Sequence, residues 1–449
     1  MSLYLKLIIA VACIASQASA ATWYSDPING STPSSSKDVG KGDGSRTRPW
    51  GSFESLVRAK LFKATDPLTA VIKPGDTVKL MSGPHGRISF QSGDFQNSET
   101  ITVEADDDAL PVISQLSVKF AQKWRFRRIT FQCPEKIEAR FMLLRGVMVS
   151  GFDVEECLFQ STGDATTWTD EDWSARCAQF GLWLSGADIK ISRNRFYAVE
   201  NCIAIEGRGF LVDGNQCEYF LNDGIQHAAS DVRITGNRIV DQYNLEENVF
   251  HHDAIQGWTK NDLTNTNVVI EGNFIARSTG KYTTIPPISD SVFQGITIFD
   301  GKFSGVTVAN NVVMSPAYHA ISLYGCVDST IQNNTVIYQG MTPNKPCWIG
   351  VMIGKPKWDA VEPKNILVKN NIAPTYALTK SKTGITIENN FSFRAPNKPW
   401  NTSFTIVDPA KTFTKYEPVT ATFDLSVRDD SPAAGKVVVT RVNPAGARQ

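Results

Sequence analysis

The stretch "VRITGNRI" (232–239) decides the fold, because it is one copy of a phrase that returns along the chain between residues 189 and 392. In each copy apolar and polar residues alternate, and the run ends at a turn that contains asparagine. The other copies are "IKISRNRF" (189–196), "FLVDGNQC" (210–217), "VVIEGNFI" (268–275), "VTVANNVV" (306–313), "STIQNNTV" (329–336), "ILVKNNIA" (366–373) and "ITIENNFS" (385–392). We align them on Asn194, Asn215, Asn237, Asn273, Asn310, Asn333, Asn370 and Asn389.

The gaps between these asparagines are 21, 22, 36, 37, 23, 37 and 19 residues. They indicate a unit of about 20 to 23 residues that carries an inserted loop wherever the gap is longer. Alternation with period 2 predicts short strands, and a single unit cannot bury its own apolar face, so units must stack. The Leu-x-x-Leu-x-Leu pattern of leucine-rich repeats is absent. We therefore predict an all-β fold, a single-stranded right-handed parallel β-helix, in which asparagine bonds to asparagine one coil further on.

After residue 20 the repeat divides the chain into three parts. We expect the β-helix over 76–395, an N-terminal segment with a capping helix over 21–75, and a C-terminal cap or tail over 396–449. In "PWGSFESLVRAKLF" (49–62), the apolar residues Phe53, Leu56, Val57 and Leu61 have helical spacing, and Ser52 is a suitable N-cap. Such a helix would cover the open end of the core.

Residues 1–20, "MSLYLKLIIAVACIASQASA", have the charge, the apolar centre and the small residues of a signal peptide cleaved before Ala21. The alternative is a membrane anchor, but the apolar run is short for a membrane span. We therefore expect a secreted or periplasmic protein with no membrane span after cleavage. Lysine plus arginine equals aspartate plus glutamate, 45 each, so no basic excess predicts nucleic-acid binding.

Seven cysteines follow the predicted cleavage site, so at least one is unpaired within the chain. Cys326 and Cys347 flank adjacent repeats and are the pair that we expect to form a disulfide. The alternative, favoured for the others, is that cysteines serve as small buried apolar residues. No spacing resembles a zinc site.

Two neighbouring units share a second phrase, "NDGIQH" (222–227) and "HHDAIQGW" (251–258). Aligned strands place Ile203, Ile225, Ile255, Ile296, Ile321 and Val351 inward. The strand entrances then carry Asn201, Asp223, Asp253, Gln294, His319 and Ile349. Because parallel strands stack about 4.8 Å apart, Asp223 and Asp253 should be neighbours, with Gln226 and Gln256 beside them. Two carboxylates this close repel each other when both are ionised. We therefore expect that one carboxyl pKa is raised, or that a histidine, a lysine or a metal pairs with them.

Four of the five histidines, His227, His251, His252 and His319, fall in this region, which also carries the longest inserted loops. We interpret the cluster as a functional site on a rigid scaffold. Three alternatives stay open: the acids are turn caps or ladder residues, His227 is a core histidine, and His319 is a ladder residue.

The segments "WYSDPINGS" and "GDGSRTRPWGSFESL" in 23–56, "KPGDTVKLMSG" (73–83), the Gly-Asn repeats and "FDLSVRDDSPAAG" (423–435) together resemble secreted members of the pectin-lyase-like right-handed β-helix superfamily. That resemblance implies the β-helix and a polysaccharide partner. The superfamily includes polysaccharide lyases, glycoside hydrolases, uronan epimerases and non-catalytic adhesins, so the fold does not choose the reaction.

Three functions fit the cluster. In β-elimination or C5 epimerisation of a uronic-acid polysaccharide, His252, His251 or His227 would be the base, with Asp253 orienting a histidine. Lys281, Tyr282 or Arg277 would assist, and protonated Asp223, Gln226 and Gln256 would bind the substrate carboxylate. In hydrolysis, Asp223 and Asp253 would be the two carboxylates. In the third, a non-catalytic β-helix would only bind carbohydrate.

Further residues are expected to bind substrate around these acids. Outward aromatic rings suit stacking on sugar rings. These candidates are Glu206, Arg208, Arg277, Trp258, His319 and Tyr324, with Trp183 and Phe299 as further outward aromatics. Calcium could bridge the carboxylates, but the sequence contains no complete ligand set and no EF-hand pattern.

Overall fold

The computed structural model describes residues 20–36, 40–62, 70–90, 95–134, 137, 140–245, 252–260, 263–285, 293–340, 346–355, 359–379, 384–394, 403–417 and 422–436. All but the last residue of the predicted signal peptide lies outside these ranges, and so does His251. Among the described residues, no helix has the length and apolar character that crossing a bilayer would require.

Strands make up most of the structure. In the first half they are β1 Thr22–Ser25, β2 Thr77–Leu80, β3 Gly83–Phe90, β4 Gln96–Ala105, β5 Pro111–Lys119, β6 Gln122–Arg127, β7 Thr130–Gln132, β8 Met142–Glu155, β9 Leu158–Gln160, β10 Ala178–Ser192, β11 Arg195–Tyr197, β12 Val199–Asp213, β13 Gln216–Glu218, β14 Ile225–Thr235 and β15 Arg238–Val240. In the second half they are β16 His252–Trp258, β17 Thr264–Glu271, β18 Phe274–Ala276, β19 Phe293–Asp300, β20 Lys302–Ala309, β21 Val312–Ser315, β22 His319–Tyr324, β23 Cys326–Gln332, β24 Thr335–Tyr338, β25 Trp348–Met352, β26 Lys364–Lys369, β27 Ile372–Ala373, β28 Thr375–Leu378, β29 Ile385–Glu388, β30 Asn390–Ser392, β31 Phe404–Ile406, β32 Phe413–Glu417 and β33 Thr422–Val427. The helices are α1 Phe53–Arg58, α2 Asp170–Arg176 and α3 Pro409–Thr412.

The strands from β1 to β31 form one continuous parallel system, whereas β32 and β33 pair antiparallel. This is the predicted right-handed parallel β-helix. The parallel pairing extends from β1, which pairs with β2, to β31, which pairs with β30. The predicted division into parts at residues 76 and 395 remains a prediction.

From β10 onward each coil has three faces. Face A contains the first halves of β10, β12 and β14, followed by β16, β19, β22, β25 and β28. Face B contains the second halves of β10, β12 and β14, followed by β17, β20, β23, β26 and β29. Face C contains the short strands β11, β13, β15, β18, β21, β24, β27 and β30. The insertions 241–251, 277–292 and 339–347 each join a face C strand to the next face A strand, whereas 353–363 joins face A strand β25 to face B strand β26.

The core fills the coil with columns of equivalent side chains. Ile203, Ile225 and Ile255 stack in register on face A and are fully buried. Phe131, Phe159 and Phe196 stack nearly parallel on face C, with ring centroids 4.7 and 4.8 Å apart. These distances match the spacing of parallel strands, so the rings follow the rise of the coil.

Helix α1 confirms the predicted capping helix. The side chain of Ser52 accepts a hydrogen bond from the Ser55 amide, as expected of an N-cap. Phe53 is fully buried and packs edge-on against Phe90 and Phe126, with centroids 6.2 and 6.4 Å away. The helix thus places its apolar side on the first coils of the core.

Eight buried asparagines form a continuous ladder where face B turns into face C. Asn237 shows the repeated pattern: its side-chain oxygen accepts from the backbone and side-chain nitrogens of Asn215, at 2.9 and 3.0 Å. Its side-chain nitrogen donates to the oxygen of Val212 and to Asn273, at 2.9 and 3.0 Å. Every polar group of the amide is therefore satisfied inside the protein.

The predicted ladder is wrong by one residue in its last four members. The bonded asparagines are Asn194, Asn215, Asn237, Asn273, Asn311, Asn334, Asn371 and Asn390. Asn310 instead occupies the preceding turn position that Gly272 occupies one coil earlier, with φ of 56° against 65°. Asn333, Asn370 and Asn389 do the same, because asparagine tolerates the left-handed backbone conformation that glycine provides.

The expected disulfide between Cys326 and Cys347 does not form. Both thiols are free and buried, and burial raises the pKa of each well above its usual range. Both side chains belong to the apolar core, which agrees with the alternative that cysteine serves here as a small buried residue.

Candidate functional site

Five polar residues stand at the starts of successive face A strands, and we call them the acid column: Asn201, Asp223, Asp253, Gln294 and His319. The register of the isoleucines that follow them holds them in line, because Ile203, Ile225 and Ile255 are direct partners on adjacent strands. The structure therefore brings Asp223 and Asp253 onto adjacent coils, although 30 residues separate them in the chain. Both are buried, with side chains 5% and 0% exposed.

A hydrogen bond joins the two acids directly. The backbone amide of Asp253 donates to Oδ1 of Asp223 at 2.7 Å. One coil earlier, the amide of Asp223 donates to Oδ1 of Asn201 at 3.3 Å. Each side chain thus reaches the backbone of the next coil, so part of this column holds adjacent coils together.

The repeated Asp-x-Ile-Gln phrase produces the same contact on both coils. Gln226 donates from Nε2 to Oδ2 of Asp223 at 2.5 Å, and Gln256 donates to Oδ2 of Asp253 at 3.0 Å. The hydroxyl of Thr297 donates to Oδ1 of Asp253 at 2.8 Å. Neutral amide and hydroxyl donors therefore supply part of the compensation that two close carboxylates require.

His252 lies beside the acids and is oriented by an amide. Its ring is fully buried, and its Nδ1 is hydrogen-bonded to Oδ1 of Asn222. Asn222 also donates from Nδ2 to Asn201 at 3.0 Å, which ties the histidine to the acid column. Because an amide oxygen only accepts, Nδ1 carries the proton in this arrangement.

His227 does not join the site. Its side chain points into the coil, stacked in register between Ile205 and Gly257. It is fully buried, neither ring nitrogen has a hydrogen-bond partner, and a Cβ at residue 257 would lie 2.7 Å from its Nε2. Burial lowers the pKa of His227 to about 4. We therefore no longer assign it a catalytic role, and the core-histidine alternative describes it.

Lys281 and Tyr282 contact a different acid, Glu218 at the end of face C strand β13. Lys281 forms an ion pair with Oε1 of Glu218, and the hydroxyl of Tyr282 donates to the same oxygen at 2.8 Å. Arg195 approaches Oε2 of Glu218 at 3.3 Å. Burial would raise the pKa of Glu218, but the bonds from Lys281 and Tyr282 outweigh it and lower that pKa.

The Tyr282 ring is part of an aromatic packing layer rather than of the acid column. It stacks on Tyr219 at a centroid distance of 4.3 Å, and burial followed by the Glu218 contact raises the pKa of its hydroxyl. Arg277 is buried near Asp241, and burial lowers its pKa to about 10. The contacts of Lys281, Tyr282 and Arg277 place them in a second cluster. The sequence analysis had grouped them with Asp223 and Asp253.

Glu206 and Arg208 lie on the outer surface beyond the glutamines. Glu206 pairs with Lys260 at 2.5 Å, and Arg208 pairs with Asp231 at 2.5 Å. Trp258 is half-buried at the end of β16, where a register shift places it opposite Asp300. These residues border face A, and their predicted role in substrate binding remains a prediction.

The acid column continues into a group of rings. Nδ1 of His319 is hydrogen-bonded to the hydroxyl of Ser322 at 2.7 Å. Ser322 stacks in register with Thr297 on the adjacent strand. Its ring lies 5.3 Å from that of Phe299 and 5.7 Å from that of Tyr324. Two rings that the sequence analysis missed complete the group, Tyr318 at 4.2 Å and Trp348 at 5.5 Å from His319.

Trp348 was missed because the predicted register of β25 is wrong. Ile349, not Val351, stacks on Ile321, and Val351 stacks on Leu323. An irregularity between His319 and Ile321 moves Trp348 opposite His319, where Ile349 was expected. The apolar alternation of Ile349 and Val351 fits either register, so only the bulge decides between them.

Among the described residues, no group of three or more His, Cys, Asp or Glu side chains has the geometry of a metal site. Asp223 and Asp253 are two carboxylates whose oxygens already accept bonds from protein donors. The donor set found here does not complete the six to eight oxygens that calcium takes, so we derive no step through calcium.

The fold defines the class of this protein as a right-handed parallel β-helix. Similar solved structures include the Dettilon tailspike protein (12% identity, 83% of this chain and 66% of the tailspike chain, TM-score 0.46). Pectate lyase Pel9A is 15% identical over 92% of this chain and 91% of the lyase, with a TM-score of 0.44. A GH136 lacto-N-biosidase from Eubacterium ramulus is 12% identical over 83% of this chain and 64% of the biosidase, with a TM-score of 0.45.

This chain thus spans just under two thirds of the tailspike and biosidase chains. No protein-family model matches the sequence, and no curated protein matches it significantly. At these identities and TM-scores, the likeness supports no conclusion about activity.

Proposed function

We propose that the protein is a polysaccharide-active enzyme that works on the outer surface of face A, by β-elimination or C5 epimerisation of a uronic-acid-containing chain. The observation that carries the proposal is the pair Asp223 and Asp253, stacked on adjacent coils with His252 beside them. Both reactions begin with removal of the proton at C5, which needs a base and a partner for the substrate carboxylate.

The acids of face A and the rings that follow them form a row along the solenoid, and its length suits a polymer. From Asp223 to Trp348, the acids and the rings span five coils, which is about 19 Å at the spacing of parallel strands. The carboxylates lie toward one end of this length and the aromatic rings toward the other, and such a surface can contact several sugar units at once.

The chemistry of the row favours an imidazole over a carboxylate as the proton carrier. Asn222 orients the His252 ring, and in a neutral ring with Nδ1 protonated the basic nitrogen is Nε2. Both carboxylates accept bonds from glutamine amides, which cannot transfer protons. The half-buried Gln226 and Gln256 are the groups that a substrate carboxylate would meet first on this surface.

A second candidate function is carbohydrate binding without turnover. The burial of Asp253 and His252 favours it, as does the use of Asp223 to hold the next coil. Hydrolysis by Asp223 and Asp253 is the third alternative and is distinguished by its product.

A product screen tests the proposal. The full-length protein is incubated with polygalacturonate, alginate, hyaluronan and neutral xylan, and three signals are followed: ultraviolet absorbance, new reducing ends, and the NMR signature of inverted C5. Elimination gives the first two signals, epimerisation gives only the third, and hydrolysis gives only new reducing ends. Turnover that is unaltered in both His252→Gln and Asp253→Asn would discard the site assignment.

A further inference from the structure

We propose that Tyr318, Tyr324 and Trp348 form a stacking subsite for a pyranose ring, three to four coils from Asp223 at the other end of the row. The inference rests on the proposed function only in taking the ligand to be a polysaccharide. It adds that the enzyme recognises its chain through the apolar face of a sugar at a distance from the acids.

The three rings surround one imidazole. Tyr318 and Trp348 lie 5.0 Å apart, and His319 lies between them and Tyr324, 5.5 Å from Trp348 and 5.7 Å from Tyr324. The rings come from β22, the residue before it and β25, so two adjacent strands of face A position them. An array on rigid strands keeps its shape without a ligand, which lowers the cost of binding.

The rings are open to solvent where the core is not. Tyr318 is 43% exposed, one of few large apolar or aromatic side chains so exposed among the described residues, and Tyr324 and Trp348 are half-buried. A glycine provides the room for the indole: a Cβ at residue 350 would lie 3.1 Å from Cδ1 and Nε1 of Trp348. The indole therefore rests against the bare backbone of Gly350 on the outer side of the strand.

Charge contributes little at this end of the row. Lys355 lies 4.6 Å from the centroid of Phe299 but forms an ion pair with Asp300 at 2.5 Å, so the two charges offset each other. The C–H face of a sugar ring stacks on aromatic rings without needing a charge. We therefore expect binding at this subsite to change little between low and high salt, unlike binding driven by surface charge.

Binding is measured in the Asp253→Asn background by affinity electrophoresis and calorimetry with polygalacturonate, alginate and xylan. We expect Trp348→Ala and Tyr318→Ala each to weaken binding of the recognised polymer about tenfold, and Trp348→Phe to retain most of it. Gly350→Ala should weaken binding too, because it displaces the indole without removing any ring. The matched control is Phe120→Ala, which removes a 38% exposed ring directly after β5, on the N-terminal side of the acid column and apart from the three rings.

Equal affinity in the parent and in all three weakening variants would overturn the subsite, and so would a parent that binds none of the polymers. Its failure is distinguishable from that of the proposed function. Binding that depends on Trp348 without turnover by the wild type retains the subsite and rejects the enzyme. Turnover by the wild type, with polymer binding that does not change when Trp348 is replaced, rejects the subsite and retains the enzyme.

A separate observation at the N-terminus carries a second inference, which is independent of any activity. The backbone nitrogen of Ala21 donates to Oδ1 of Asp76 at 2.8 Å, and Oδ2 of Asp76 accepts from Trp23 Nε1 and from the Lys73 amide, both at 2.9 Å. Asp76 is only 5% exposed, whereas Ala20 is exposed. We propose that cleavage between Ala20 and Ala21 leaves the new ammonium group paired with the Asp76 carboxylate.

The consequence is that processing stabilises the fold. Cleavage turns a neutral amide donor into a charged one, and hydrogen bonds between charged groups are roughly twice as strong. Mature protein beginning at Ala21 should melt several degrees higher than the same protein with its amino group acetylated, and Asp76→Asn should remove that difference. Mass spectrometry of exported protein should give Ala21 as its first residue. A different first residue, or equal melting of the free and acetylated forms, would overturn the inference.

Discussion

Two polar columns run along the same solenoid, and they differ in a way that separates structure from function. The asparagine ladder repeats one residue and one set of bonds on eight coils. The acid column instead carries four residue types on five coils: Asn201, Asp223, Asp253, Gln294 and His319. A position that only has to join coils can use one solution throughout.

The contacts show the same contrast in chemical terms. In the ladder every amide oxygen and nitrogen is bonded to its neighbours in the column and to backbone. In the acid column the carboxylates also bind the half-buried Gln226 and Gln256 on the outer side of face A, and the buried Thr297. We infer that the ladder serves stability, whereas the acid column serves both stability and the proposed chemistry.

The largest effect that this comparison predicts is on turnover. Asp253→Asn keeps an acceptor for Thr297 but removes the charge beside His252. We expect kcat to fall at least about a hundredfold, the size of a lost acid–base contribution, with little change in melting temperature. Turnover on the polymer identified by the product screen is the measurement.

The control for that change lies in the other column. Asn215→Asp makes the reverse exchange, amide to carboxylate, within the ladder, and it should lower the melting temperature while leaving the kcat of the folded fraction near that of wild type. If the two substitutions affect kcat equally, the division of roles between the columns is wrong.

The second effect separates the pH dependence of the fold from that of the site. His227 is buried in the coil, next in sequence to Gln226, and burial lowers its pKa from 6.5 to about 4. As the pH falls, His227 is protonated first in the unfolded chain, because its pKa is higher there. The stability that depends on neutral His227 is therefore fully present above pH 6.5 and is lost progressively between pH 6.5 and about pH 4. The loss amounts to about 3 kcal/mol.

Urea unfolding at pH 7, 5.5 and 4 measures this loss, and His227→Leu should reduce it. His85 is a second source that remains in the variant, because burial, opposed by Met81 and Asp26, lowers its pKa to about 4 as well. Removal of both should reduce the slope further than His227→Leu alone. A His227→Leu curve that parallels the wild type at every pH would contradict the interior placement.

The third effect is on the ladder itself. Asn273→Ala removes the acceptor of two Asn237 donors and leaves the oxygen of Ile234 without its side-chain donor. Each unsatisfied buried group costs about 1 to 3 kcal/mol, so we expect a loss of several kcal/mol, reduced by any water that enters. Thermal unfolding measures it, and the exposed Asn267→Ala, which loses one bond to Asp231, is the matched control.

The sequence predicted the fold because periodicity is a property of neighbouring residues. It also predicted that Asp223 and Asp253 would be adjacent, since the isoleucine two residues after each acid fixes the register. It missed the shift from Asn310 to Asn311, because an Asn-Asn pair offers two equally good partners and only the hydrogen bonds distinguish them. Alternation did signal that His227 faces inward, two residues after Ile225 on the same strand.

Contacts made by inserted loops were beyond such reasoning. Lys281 reaches Glu218 across 63 residues, and nothing in the loop sequence has a period that sets its position. Trp348 depends on a bulge that only the three-dimensional register reveals. Apart from His227, which lies inside strand β14, the residues wrongly grouped with the acids belong to the inserted segment between β18 and β19.

The smallest predicted effect tests that regrouping. Lys281→Met removes an ammonium group from Glu218, but Arg195, Gln216 and Tyr282 still bind this carboxylate. Because the lysine is 54% exposed, solvent screens the pair, and we expect a loss of less than about 1 kcal/mol and an unchanged kcat. Melting temperature and turnover are measured on the same preparations of wild type and variant. A kcat that falls while the melting temperature is unchanged would show that Lys281 acts with the acids, and the two clusters would then form one site.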